Sequence, residues 1–336
     1  MKTSLNKNYY WGKGLTLTIL STMKNYCSRV GVSLAFSLLS FGLWINPTLA
    51  GDPFRLENSR NIGEKTEAAF KALFEEGNYP QAKSYLIEAD ETEINDPMVC
   101  AMRSSLAYTD QDWNTMKTYA TKTIHVAEKI KSEDPLRGNL YLAVGNFLEG
   151  AYLFKQDGPL AAINKLQLVF NYFDKAESVN SDDPELTLIK GYFNLILAVN
   201  LPFSSPEEAI KNLQKYAEPK YLVNRGIALA YRDLKDYDRA LEFVDRAIES
   251  TPNNPELYYL KGQILRKKGE THEDLSTLNE AIKYYDIALE KIEQLPVEAV
   301  QKPLKRERRK AQEKIDHLKA SLEKVTPETS PEFSEP

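Results

Sequence analysis

The sequence predicts an all-α fold, a right-handed α-solenoid of antiparallel helix pairs, and three observations lead there. Pro184, Pro219 and Pro255 stand 35 and 36 residues apart, each after an Asp, Glu or Asn, and a period of that length marks a stacked array of one supersecondary unit. Glycines recur at one depth behind those prolines, as Gly191, Gly226 and Gly262; each costs a helix about 1 kcal/mol relative to alanine and so needs a packing reason. No segment shows the sustained two-residue alternation of a half-buried strand.

The first fifty residues hold Lys2, Lys7, Lys13, Lys24 and Arg29 and no acid, and Val30 to Ile45 is an uncharged apolar run of sixteen residues. Thr48 and Ala50 then supply small side chains before Gly51. A basic flank, a short apolar core and a small-residue exit predict a secretory signal peptide over 1–50, cleaved after Ala50. Met23 opens a compact version of it, which makes residues 1–22 an over-long extension. The alternative is an uncleaved anchor and a membrane-tethered structural subunit, although sixteen residues fall short of the roughly 20 that a spanning helix needs. Cleavage takes Lys plus Arg from 43 to 38 against 48 acids. An exported chain of that acidity is a poor partner for nucleic acid, which needs a cationic surface. Cys27 leaves with the signal, so Cys100 remains alone and no internal disulfide forms.

The solenoid is expected over 62–300. Near its front, FEEGNYPQAKSYLIEA places Ala82, Leu86 and Ala89 at repeat depths, and Trp113, Met116 and Ala120 echo it 34 residues on. Asp96-Pro97, Asp134-Pro135, Asp183-Pro184, Ser205-Pro206 and Asn254-Pro255 read as helix starts, because the first side chain accepts an orphan N–H and proline suits the first helical position. Ser205 to Glu208 adds a capping box, and Glu218-Pro219 is a weaker start of the same kind. Between these, Leu160, Ile163, Leu166, Val169, Phe170 and Phe173 make one helical stripe, and Leu186 to Leu201 is apolar almost all round, the mark of a central helix.

The clearest units are 184–218, 219–252 and 255–296. In each, the first helix carries its glycine and the second carries Ala209, Ala240 or Ala281, with Leu213, Val244 or Tyr285 four residues later; Ala247 and Ala288 follow in the last two. Small residues let paired helices approach, and the bulky one fills the space beside them. Leu222-x2-Arg225-Gly226-x2-Leu229, Ala240-x3-Val244-x2-Ala247 and Pro252 together resemble the tetratricopeptide repeat (TPR), with Leu222 and Tyr258 where that family has Trp and Arg225 and Lys261 where it has Leu. Across 50–300 the pattern is similar to exported TPR proteins of cyanobacteria, which implies the periplasm or a thylakoid lumen.

The resemblance implies a concave groove lined by first helices that takes a segment of another protein, hence a non-catalytic scaffold without cofactor. Alignment of the units makes Asn194, Asn224, Tyr231, Tyr259, Gln263 and Arg266 its candidate partner-binding residues. Some family members grip a chaperone's terminal carboxylates, but only Asn224 matches that set here. No catalytic or metal motif competes: His272-Glu273 lacks the second histidine of a zincin, His125 and His317 stand apart from it, and no phosphate loop or nucleophile elbow is present. Residues 301–325 read as a basic capping helix whose Ile315, Leu318, Leu322 and Val325 close the stack. Its run Lys302–Lys310, with six cations and one acid, offers a second use as a peripheral membrane contact. The proline- and glutamate-rich tail 326–336 is expected to be disordered.

Overall fold

The computed structural model describes residues 51–325 apart from 56 and 201–205. The expected signal over 1–50 with Met23 and Ala50, the capping serine Ser205 and the tail 326–336 lie outside the described residues. Among the described residues there are thirteen α-helices and no strand. Twelve form six consecutive pairs: α1 (Glu64–Phe74) with α2 (Tyr79–Thr92), α3 (Pro97–Asp110) with α4 (Trp113–Ile130), α5 (Pro135–Asp157) with α6 (Pro159–Glu177), α7 (Pro184–Asn200) with α8 (Pro206–Tyr216), α9 (Lys220–Asp233) with α10 (Tyr237–Ser250), and α11 (Pro255–His272) with α12 (Leu275–Leu289). A 3-10 turn at Ile292–Gln294 and a π turn at Val297–Gln301 lead into α13 (Lys302–Val325). The fold is an α-solenoid of helix pairs, and no described helix is long and apolar enough to cross a membrane.

First helices open on side-chain caps. Asp96, Asp134, Asp183 and Asn254 accept from the backbone N–H of Met98, Arg137, Leu186 and Glu256 at 2.8, 2.9, 3.0 and 3.0 Å. Pro219 departs from the expected start. It sits one residue before α9 in extended backbone, after a cis peptide bond from Glu218. The Glu218 carboxylate is drawn to Lys220 Nζ at 2.8 Å, so α9 begins without a side-chain cap.

Second helices share another opening. Asn78, Asp112, Asp236 and Asp274 cap α2, α4, α10 and α12. The residue before each cap is left-handed: Gly77 (φ 65°), Gln111 (60°), Lys235 (65°) and Glu273 (52°). Only the first of these must be glycine for space as well, since a Cβ on Gly77 would lie 2.5 Å from Asn254 Oδ1.

Small residues set the pair spacing. Ala240, Ala247, Ala281 and Ala288 are fully buried and Ala209 nearly so. A Cβ on Gly191 would strike Leu213, and one on Gly262 would lie 2.6 Å from the Tyr285 ring. Gly226 differs: its nearest neighbour is not Val244 but the Tyr192 ring, also 2.6 Å from such a Cβ. Tyr192 crosses from the preceding first helix and donates its hydroxyl to the Leu222 carbonyl, so this glycine admits a side chain from the neighbouring pair.

Helix α7 is central, with Leu186, Leu188, Ile189, Tyr192, Phe193, Leu195 and Ala198 buried. The α6 stripe is only partly covered: Val169 and Phe173 are buried, whereas Leu160 is exposed and Phe170 partly so, its ring still 5.3 Å from Phe193. On α13, Leu304, Ala311, Ile315 and Leu318 are buried against the last pair, but Leu322 is exposed.

Candidate partner-binding surface

Aligning the three glycines identifies the inward face of each first helix. Tyr259, Gln263 and Arg266 on α11 then correspond to Leu188, Tyr192 and Leu195 on α7 and to Val223, Ile227 and Ala230 on α9. The six residues on α7 and α9 are apolar and buried, in one contiguous core with Phe54, Ile62, Phe70 and Phe74 from the amino-terminal segment and α1. The groove that the repeats alone predict is therefore not open along its length. The amino-terminal segment shares that core, and of these three first helices α11 alone keeps polar side chains at the aligned positions.

Partly buried ionic contacts tie the amino-terminal segment to the later pairs. Arg60 donates to Asp134 at 2.8 Å and to Glu185 at 2.9 Å, and its backbone N–H reaches Asp52 at 3.0 Å. Arg55 pairs with Asp52 and Asp183 and stands 3.6 Å from Glu185. Glu185 also accepts from the Tyr141 hydroxyl at 2.9 Å, while Arg137 donates to Asp96 at the same distance. Burial raises the Glu185 carboxyl above its usual range, against the pull of Arg137, Arg60 and Arg55. Asp134 ends on the low side: burial pushes it up, but the Arg137 N–H and Arg60 outweigh that. A second buried centre ties α2 to the later pairs. The Tyr79 hydroxyl and Arg225 donate to opposite oxygens of Glu256 at 2.6 and 2.7 Å, and the Asn254 amide donates to the Phe74 carbonyl at 3.1 Å. Arg225, where the repeat pattern has leucine, thus answers a carboxylate one pair further on.

At the carboxy-terminal end the polar residues converge. Arg232 of α9 donates to Gln263 of α11 at 2.8 Å. Arg266 pairs with Glu270 and lies 3.7 Å from Glu307 of α13, which also accepts from the Tyr285 hydroxyl at 3.4 Å. Lys267 stands half-buried beside them. Burial, and then the charge of Arg232, lower its pKa, with Asp233 and Glu307 pulling the other way, and its ammonium makes no hydrogen bond or ion pair among the described residues.

The structure places the six groove candidates unevenly. Gln263 and Arg266 stand together and half-buried, with Tyr259 beside them against the Tyr285 ring at 6.1 Å and only 8% exposed. Tyr231 is 7% exposed, stacked on Phe243, with the Arg239 guanidinium 4.6 Å from its ring. Asn194 and Asn224 are half-buried on α7 and α9, away from that cluster. Sequence reasoning missed Arg55, Arg60, Glu185, Glu256, Lys267 and Glu307. One signal for the buried acids was available, the repeated Pro-Glu step at Pro184-Glu185 and Pro255-Glu256. His125, His272 and His317 are exposed, and no metal-holding cluster occurs among the described residues.

Helix pairs of this period and packing make the fold a tetratricopeptide-repeat solenoid. Residues 188–288 match the family described as the auxiliary subunit of N-terminal acetyltransferase A. The chain is also similar to the Photosystem I assembly protein Ycf3 of Acaryochloris marina, 24% identical over 146 residues, which covers 43% of this chain and 79% of that protein.

Proposed function

We propose that this protein is a non-catalytic scaffold that holds another protein during assembly of a larger complex, and that it does so from the polar end of its inner face. The observation that carries this reading is the convergence of Gln263, Arg266 and Lys267 beside Tyr259, with Lys267 partly desolvated and unpaired. A charge taken from water without a partner is costly, and a carboxylate from a partner segment relieves that cost. Tyr and Arg are also the residues that most often anchor protein interfaces. The likeness to an assembly protein and to an auxiliary subunit supports a role exercised on other proteins. Export through the signal over 1–50 belongs to the same proposal and rests on the charge and apolar order of that segment.

A photo-crosslinking residue at Gln263, compared in cells with one at the exposed Glu249 of α10, tests the reading. The expected result is one protein captured from position 263, absent from position 249 and lost on Lys267→Glu. Equal capture from both positions, or capture of nothing but the chain itself, overturns it.

A further inference from the structure

Helix α13 concentrates its cations in its first half. Lys302, Lys305, Arg306, Arg308, Arg309 and Lys310 crowd its first nine residues. Packing does not account for the crowding, because Leu304, Ala311, Ile315 and Leu318 supply the buried side and Arg308 alone turns back, to Asp286 at 3.0 Å. Lys302, Lys305, Arg306 and Arg309 follow the spacing that puts side chains on one helix face, with Lys310 beside them, and all five are exposed. Lys302 and Arg309 have Glu298 and Glu313 nearby. Lys305, Arg306 and Lys310 make no ion pair among the described residues. The only acid of the run, Glu307, points away from this face toward Arg266 and Tyr285.

We propose that this face docks the protein on an anionic lipid surface. A protein partner draws its affinity from a few anchors seated in pockets, and this exposed stripe offers no aromatic side chain as one. A bilayer asks only for a count of cations within reach of its headgroups. Val297, 54% exposed just before the helix, adds an apolar side chain at the same end. Glu313 and Asp316, both exposed, limit the contact to the first half of α13.

The test is sedimentation of the full chain with phosphatidylcholine vesicles, with and without phosphatidylserine, beside the variant Lys305→Glu/Arg306→Glu/Lys310→Glu. Each cation near such a surface is worth about fivefold in partitioning, so the variant should bind phosphatidylserine vesicles about a hundredfold more weakly or worse. Salt of about 0.5 M, where screening acts within roughly 5 Å, should release the wild-type chain. Helix content by circular dichroism checks the fold of the variant, and the glutamine triple variant should show a smaller loss in the same direction. Equal binding of wild type and variant overturns the proposal. So does equal binding to phosphatidylcholine alone, which assigns attachment to an apolar segment elsewhere. Binding to soluble polyglutamate but not to vesicles also overturns it and points to an acidic protein instead.

Discussion

Gly262 shows what a single side chain decides in this fold. It is buried, and an added methyl would lie 2.6 Å from the Tyr285 ring of α12, itself fully buried. Alanine is favoured over glycine in a helix by about 1 kcal/mol, whereas overpacking a tight core costs about 1–3 kcal/mol. The clash is with the body of a ring that has nowhere to retreat, so the steric cost wins. Gly262→Ala is expected to lower unfolding free energy by up to about 2 kcal/mol in a denaturant titration, the difference of those two effects. Tyr285→Leu in the same chain should recover part of the loss; additive losses would show that the two do not meet. The glycine spacing was legible because a mid-helix glycine is unfavourable unless something presses on it. What presses was legible only in part. At Gly262 it is the partner helix's own Tyr285, but at Gly226 it is Tyr192 from the pair before, and spacing within one repeat carries no record of its neighbour's rotamers.

At the level of the element, the pairs stand out in the sequence because caps and prolines punctuate them. Four of the six first helices begin on an Asp or Asn whose carboxylate or amide takes an orphan N–H. The starts of the second helices were harder to see, since they depend on a left-handed residue followed by an Asx cap and then Tyr, Trp or Leu, as in Lys235-Asp236-Tyr237. Glu218-Pro219 misled for a local reason: Lys220 competes for the Glu218 carboxylate and no cap forms. The Asp236 side chain accepts from the Arg239 backbone N–H at 3.2 Å and pairs with the Arg239 guanidinium at 2.6 Å. Asp236→Ala is expected to cost about 1 kcal/mol, the usual value of an amino-terminal cap. Hydrogen exchange in the first turn of α10 should accelerate more than in α11, and equal acceleration in both helices would argue that the loss is not local.

For the whole molecule, the decisive arrangement is the amino-terminal segment held by ion pairs to the starts of α5 and α7 and joined to the core of the later pairs. It could not be read from a repeat pattern, because Arg55 and Arg60 precede the first repeat and their partners are 74 to 128 residues further along the chain. Apolar side chains at Leu188, Val223 and Ile227, where an open groove would carry polar ones, were its trace in the sequence. The acids of this contact respond to pH in opposite senses. Asp134 has a folded-state pKa below its ordinary value of 3.8, so its stabilising contribution is present above 3.8 and is lost as pH falls through the lower folded value. Glu185, raised above 4.5 mainly by burial, binds its proton more tightly in the folded state, so its contribution diminishes as pH rises from 4.5 through the raised value. Melting temperatures followed from neutral pH downward should therefore separate the two. Asp134→Asn is expected to be less stable than wild type at neutral pH and to converge with it once Asp134 is protonated. Glu185→Gln should flatten the curve just above 4.5, where wild-type Glu185 gains its proton. Arg60→Ala removes a donor to both acids, so it should lower stability at neutral pH and increase binding of a hydrophobic dye as the inner faces of α7 and α9 become uncovered. A variant that loses stability without added dye binding would mean that the segment contributes its contacts but does not close the groove.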